Sequence, residues 1–292
     1  MNEQDAGATA TATKPIYRMP YGFGPSVGPR QGPGGRSFNG EWARTTTVGV
    51  AFRTEHDALV PLMPPGFEPT AEPTVRVQCH FNTDFAWLAG RGYNFAEVLF
   101  SAVYRGEEDE VEGDFVAVMW ESMADPCIPG REEIGLPKLY ADIPDLALGQ
   151  RSTRWDASWE GFRFLEVELD GLSLQPWPRE READAETVRL GIGGSAGRHR
   201  MYYKYIPRTG DWGEADAAYA TVSPPGNYDM KVLESWSGSG TVAFHEARWE
   251  DLPTFYNVVN ALAGLPVLEV TDAMMGRAMV AFNDLRDQRI LR

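Results

Sequence analysis

Lysine is nearly missing from this 292-residue chain. Four occur, at Lys14, Lys138, Lys204 and Lys231, against 23 arginines among the 27 basic residues. Cysteine is scarcer still, at two, Cys79 and Cys127, so no disulfide framework holds the fold. The first fifteen residues are Ala, Thr and acids with no apolar run, hence no secretion signal, and with so little cysteine a reducing, cytoplasmic setting is expected. No apolar stretch approaches the ~18–20 residues of a membrane helix. Positive charge is in deficit, with a net charge of −15 and a pI near 4.7. A nucleic acid or an anionic membrane is not drawn to such a surface, and neither is expected as a partner. The four histidines, His56, His80, His199 and His245, stand far apart and never at metal spacing with cysteines or acids. No serine sits in a nucleophile elbow.

What is present is apolar bulk: 43% of residues are hydrophobic and 12% aromatic, enough for a sizeable core. Residues 1–16 read as a disordered tail. Residues 17–40, "YRMPYGFGPSVGPRQGPGGRSFNG", hold too much Gly and Pro for regular structure. Their aromatics predict an ordered arm lying on the body or on a neighbouring subunit. Residues 41–292 read as one domain dominated by strands. "TVRVQCHF" alternates with period two, Val75, Val77, Cys79 and Phe81 against Arg76, Gln78 and His80, which predicts a half-buried strand. "FAEVLFSAVY" (95–104) is apolar on both faces and should be central. "DFVAVMWE", "FRFLEVEL", "RMYYKYI", "YDMKVLESW" and "TVAFHEA" are further strands, with "GEEDEVEGD", "SPPGN" and "SGSG" as breaks. Three helices are expected: "TEHDALVPLM", with Thr54 and Asp57 near a capping box; "DLPTFYNVVNALAGL", ending at Gly264; and "TDAMMGRAMVAFNDLRDQ", with Met275, Met279 and Phe282 on one face. Many strands with few helices predict an α+β, mainly antiparallel barrel or sandwich.

Three segments bear on chemistry. "GIGGSAG" (191–197) looks like a phosphate-binding loop, but it lies between two strands and reads as a hairpin turn. Glu97 falls in the doubly apolar strand, where a carboxylate is costly to bury unless paired or protonated. It is either the partner of an arginine or a general acid/base with a raised pKa. Lys138 lies among Ile134, Leu136, Pro137, Leu139 and Tyr140. It is either a strand-start lysine with its ammonium in water or a desolvated amine able to form an imine with a ketone. Arginine cannot do that chemistry. Cys127, nearby, reads as a small buried residue.

At "GREEIGLPK" (130–138) the chain resembles the acetoacetate decarboxylase superfamily, whose reactive-lysine segment runs Gly-Arg-Glu, five residues, Pro-Lys. "FRTEHDAL" (52–59), "PPGFE", "YKYIP" (203–207), "ESWSGSGTVAF" (234–244) and "GLPVLEV" (264–270) follow the family in order, so the likeness spans roughly residues 40–285. It implies a cone-shaped β-barrel with an internal cavity and peripheral helices, and a homo-oligomer. It implies that Lys138 forms the imine and that Glu97 shuttles protons. The substrate-carboxylate arginine is nearest to Arg44, about one position away. Neither cofactor nor metal is needed. Two positions depart from the decarboxylases: Leu139 stands where they have a second lysine, and Leu136 where they have tyrosine. These departures favour an aldolase or aldolase–dehydratase on pyruvate or another 2-oxo acid, with an aldehyde co-substrate. A 3-oxo-acid decarboxylase is the alternative, and a non-catalytic binder of a hydrophobic acid is the second.

Overall fold

The computed structural model describes residues 14–149, 152–176, 198–225, 228–282 and 288–292. The "GIGGSAG" loop, most of the expected tail and residues 283–287 lie outside them. Among the described residues fourteen strands make one sheet. They are β1 (Trp42–Arg53), β2 (Phe67–Pro69), β3 (Thr74–Thr83), β4 (Asn94–Arg105), β5 (Glu110–Glu121), β6 (Lys138–Tyr140) and β7 (Ala147–Leu148). After these come β8 (Ser152–Trp159), β9 (Phe162–Leu174), β10 (His199–Arg208), β11 (Asp211–Ser223), β12 (Tyr228–Phe244), β13 (Glu269–Phe282) and β14 (Arg289–Ile290). The hydrogen-bonded order is β14-β11-β10-β5-β4-β3-β1-β13-β12-β9-β8-β7, with β2 added to β4 and β6 to β5. Pairing is antiparallel except where β5 meets β10 and β6. Among the described residues this path is open at both ends. The α+β, mainly antiparallel class therefore holds, while the strand pairing does not make the closed cone.

As expected, β4 is central and buried on both faces. Its partner β3 is more buried than its alternation predicts. Val75, Val77 and Cys79 enter the main core, and Gln78 and His80 on the opposite face are also buried. The polar side of this strand faces a polar interior instead of water.

Over the described residues 271–282, the third expected helix is a strand. β13 pairs with β1 on one side and β12 on the other. Ala273 and Met275 join the main core, while Met274, Ala278 and Val280 join a second cluster. Both faces are apolar, so period two leaves no alternation to read, and Ala and Met carry helix propensity that the two-sided ladder overrides. "SGSG" is likewise no break: β12 runs through it with a register shift between Ser237 and Ser239. Gly240 there is needed for room, because a Cβ would come within 2.7 Å of Leu169 and 2.8 Å of Val50. The first helix shrinks to α1 (His56–Leu59) and one 3-10 turn, without a capping side chain. Thr54 is held as the end of a strand instead, its N–H donating to the Pro73 carbonyl at 3.2 Å. The remaining expected helix forms over Tyr256–Ala263 and ends at Gly264.

The arm carries two 3-10 turns and a Gly28–Gln31 bridge. Arg18 and Arg30 both pair with Glu133 on the body.

Candidate active site

The site arises where the sheet forks. The far edge of β5 pairs with β10 at Gly113–Phe115 and with β6 at Met119–Glu121. Between them β5 bulges opposite Val98 and Leu99, leaving Ala117 without a partner. A bulge bends a strand and re-aims its side chains. Beyond the fork, one face of β5 and β10 lines a cavity. Arg200 and Tyr202 come from β10, Met119 and Glu121 from β5, and Lys138 from β6.

Local sequence explains how Lys138 is presented. The helix Ala124–Pro129 runs into a π-turn over Gly130–Ile134, which Gly135 closes with a φ of 91°. That left-handed conformation favours glycine. The Gly130 carbonyl accepts the N–H groups of Gly135 and Leu136 at 2.9 and 3.0 Å. Gly130 must be small, because a Cβ would come within 2.5 Å of Lys138 Cδ. Arg131 Nη1 donates to the Lys138 carbonyl at 2.8 Å. The Gly-Arg-Glu…Pro-Lys spacing is thus a turn built around the lysine stem.

The Lys138 side chain is largely withdrawn from water. It is 8% exposed, donates to the Pro126 carbonyl at 3.1 Å, and lies 2.5 Å from Oε1 of the fully buried Glu121. Burial pushes the Glu121 carboxyl up, and the adjacent ammonium draws it only part of the way back. The same burial, with the Glu121 charge nearby, pushes the Cys127 thiol up to about 12, so it is no thiolate nucleophile.

A second buried pair stands across Met119. Glu97, Met119 and Lys138 are successive partners on β4, β5 and β6. Glu97 accepts two hydrogen bonds from the Arg200 guanidinium. It also accepts one from Gln78 Nε2 at 2.7 Å, and His80 Nε2 lies 3.2 Å away. His80 is braced in turn by Thr47 at 2.9 Å from Nδ1. Burial alone would raise the Glu97 carboxyl, but Arg200 and His80 hold it well below the usual carboxylate range. The two buried acids and two buried bases compensate one another, as buried charges must.

The structure therefore brings Lys138 to the cavity and puts Glu97 behind Arg200, as an arginine's partner with a lowered pKa instead of a raised one. Arg44 is elsewhere. On β1 its neighbours Ala43 and Thr45 turn inward, so Arg44 turns outward, 72% exposed and 3.7 Å from Asp84. Sequence reasoning missed Glu121 and Arg200. Glu121 carried a readable signal, as the single charge at the end of the apolar stretch "VAVMWE", whereas Arg200 shares "RMYYKYI" with Lys204 and did not stand out. The arm contributes Pro29, Arg30, Phe38 and Asn39 to the cavity wall. Among the described residues no group of three His, Cys, Asp or Glu could hold a metal, and no helix is long and apolar enough to cross a membrane.

A mainly antiparallel β-fold presenting a buried lysine–carboxylate pair in a cavity has the features of an imine-forming lyase. The chain belongs to the acetoacetate decarboxylase family, whose profile matches residues 18–285, and it is an enzyme of the lyase kind. Family membership supports Schiff-base chemistry on an oxo acid. An acetoacetate decarboxylase structure aligns with a TM-score of 0.65 at 16% identity, over 89% of this chain and 94% of its own. The acetoacetate decarboxylase of Legionella pneumophila aligns at 0.63 and 17% identity, over 89% and 92%. The enduracididine biosynthesis enzyme MppR, complexed with the condensation product of pyruvate and imidazole 4-carboxaldehyde, aligns at 0.57 and 18% identity, over 85% and 88%. No curated protein sequence matches the chain.

Proposed function

We propose that this enzyme joins pyruvate or a related 2-oxo acid to an aldehyde, with loss of water, through an imine on Lys138. The observation that carries the proposal is the 2.5 Å approach of the buried Lys138 Nζ to the buried Glu121 in a cavity that also presents Arg200. Glu121 takes a proton from the ammonium, and the free amine attacks the keto carbon. The carbinolamine hydroxyl leaves as water with the proton from Glu121, giving an iminium. The Glu121 carboxylate then removes a C3 proton, and the enamine forms. Its C3 attacks the aldehyde carbon, and the aldehyde oxygen takes the proton from Glu121. Loss of the second C3 proton and of the new hydroxyl as water leaves a conjugated iminium. Water hydrolyses it, releasing an unsaturated 2-oxo acid and the amine. Arg200, anchored by Glu97, holds the substrate carboxylate in place of Arg44.

Three observations support this reaction over decarboxylation of a 3-oxo acid. Leu139 and Leu136 replace the lysine and tyrosine of the decarboxylases. A carboxyl with a raised pKa beside the lysine suits the repeated proton transfers of condensation and dehydration. MppR, of the same fold, binds a pyruvate–aldehyde condensation product.

The test is trapping. Pyruvate with borohydride should add the reduced substrate mass to the Lys138 peptide, and Lys138→Arg should abolish the adduct. An adduct confined to Lys14, Lys204 or Lys231, or none, refutes the imine. In parallel, pyruvate with aldehydes should give a conjugated absorbance, and acetoacetate should release little CO2. Rapid CO2 release with no condensation product would assign the enzyme to decarboxylation.

A further inference from the structure

We infer that the end of the cavity away from Lys138 is a subsite for a flat aromatic ring, so that the aldehyde joined to the oxo acid is an aromatic one. This rests on the imine reading for the place of the first substrate. A ladder of rings leads out from the lysine. Met119, the strand partner of Lys138, packs with Phe95. Phe95 is 6.1 Å from the Tyr93 ring, and Tyr93 stacks on Phe85 at 5.2 Å and 24° and meets Trp87 edge-on at 6.4 Å. Phe85 is a core ring, covered by the cluster of Ala43, Val232 and Val280. Tyr93 and Trp87 are only half-buried, and both line the cavity.

The arm supplies another ring to the same cavity. Phe38, also half-buried, packs on Gly32, where a Cβ would come within 2.7 Å of it. Its position is built in, because Arg18 Nε and Arg30 Nη1 donate to the two oxygens of Glu133 at 2.7 and 2.8 Å. Glu133 belongs to the turn that presents Lys138, so one carboxylate ties the arm's ring wall to the nucleophile. Three half-covered rings, two from the β3–β4 connection and one from the arm, line the same cavity as Lys138, Glu121 and Arg200, and the combination fits a ligand with an acid head and a planar apolar tail. Ring–ring contacts prefer stacked or edge-on geometry, and each corresponds to a roughly two- to tenfold gain in affinity beyond simple burial.

Two conjugated 2-oxo acids with the same head test the inference: 4-phenyl-2-oxobut-3-enoate and 2-oxopent-3-enoate, which carries methyl in place of phenyl. Calorimetry should give the phenyl compound an affinity at least about tenfold higher. The preference should persist in Lys138→Ala, because it does not need the imine. It should fall severalfold in Trp87→Ala and in Phe38→Ala, and Glu133→Gln should lower it as Phe38→Ala does. A preference near one, or one unchanged in both ring variants, overturns the subsite. Borohydride trapping of pyruvate on the wild type keeps the two readings apart. An adduct without a ring preference sinks the subsite alone, and a ring preference without an adduct sinks the imine alone.

Discussion

Glu121→Gln separates the roles that the buried pair combines. The amide keeps the carboxylate's shape and removes its charge, leaving the Lys138 ammonium buried without its 2.5 Å partner. A stranded buried charge costs about 3–5 kcal/mol. The amine has a cheaper course, which is to fold without its proton. An unfolded lysine titrates near ~10.4, and shedding the proton costs about 1.4 kcal/mol per pH unit below that, so about 3 kcal/mol at pH 8 and about 2 at pH 9. Where shedding the proton costs less than stranding the charge, the variant folds with a neutral amine. The unfolded variant then binds one proton more than the folded one, so its stability must rise with pH, by up to ~1.4 kcal/mol per unit, until the unfolded lysine itself titrates. Urea unfolding of wild type and variant at pH 7, 8 and 9 reads this as a gap that narrows toward alkali. Pyruvate should still add to Lys138, whose nucleophilic nitrogen is untouched, whereas condensation turnover should fall ~10²–10⁴-fold for want of the proton carrier. A gap independent of pH would refute the buried ion pair. Turnover within tenfold of wild type would remove Glu121 from the mechanism.

Glu97→Gln should weaken oxo-acid binding, seen as a raised KM, more than it slows turnover, because it frees Arg200 without touching the lysine. Since Glu97 titrates below its ordinary 4.5, its contribution is present above that value and lost as pH falls; the wild type should therefore lose more stability in acid than the variant, which starts about 3–5 kcal/mol lower at pH 7. Gly130→Ala places a methyl against the flexible end of Lys138, 2.5 Å from Cδ and 2.6 Å from Cε, so turnover should drop ~10²-fold or more while the melting temperature moves little. Arg44→Ala should leave kcat/KM unchanged and alter stability by under ~0.5 kcal/mol, because its pair with Asp84 is exposed.

Legibility in the sequence followed whether a residue's neighbours along the chain are also its neighbours in space. The lysine turn was legible because Gly130, Arg131, Pro137 and Lys138 act on one another within nine residues. The two-faced apolarity of 95–104 showed a central strand for the same reason. Arg200 was not legible as a site residue, because its place comes from three residues of parallel pairing with β5, a contact 86 positions away in the chain. β13 was misread because burial on both faces erases the period that distinguishes strand from helix. Glu97 was legible as an anomaly but not as a role: one strand shows that a carboxylate is buried, and only the fold shows that Arg200, Gln78 and His80 surround it.

The scarcity of lysine takes its meaning from this electrostatics. Both buried pairs join a base to a carboxylate, yet they use different bases, and the difference matches what each must do. Arg200 keeps its charge, and its planar fork donates two hydrogen bonds to one carboxylate, so Glu97 and Arg200 form a fixed pair. Lys138 can give up its proton, and the Glu121 carboxyl beside it is raised toward the range where it can receive one. An arginine at position 138 would make a second fixed pair and no nucleophile. A glutamate at 121 held as low as Glu97 would keep the lysine charged. Catalysis through the imine therefore requires the asymmetry seen across Met119, in which Arg200 and His80 hold one carboxylate down and burial lets the other rise.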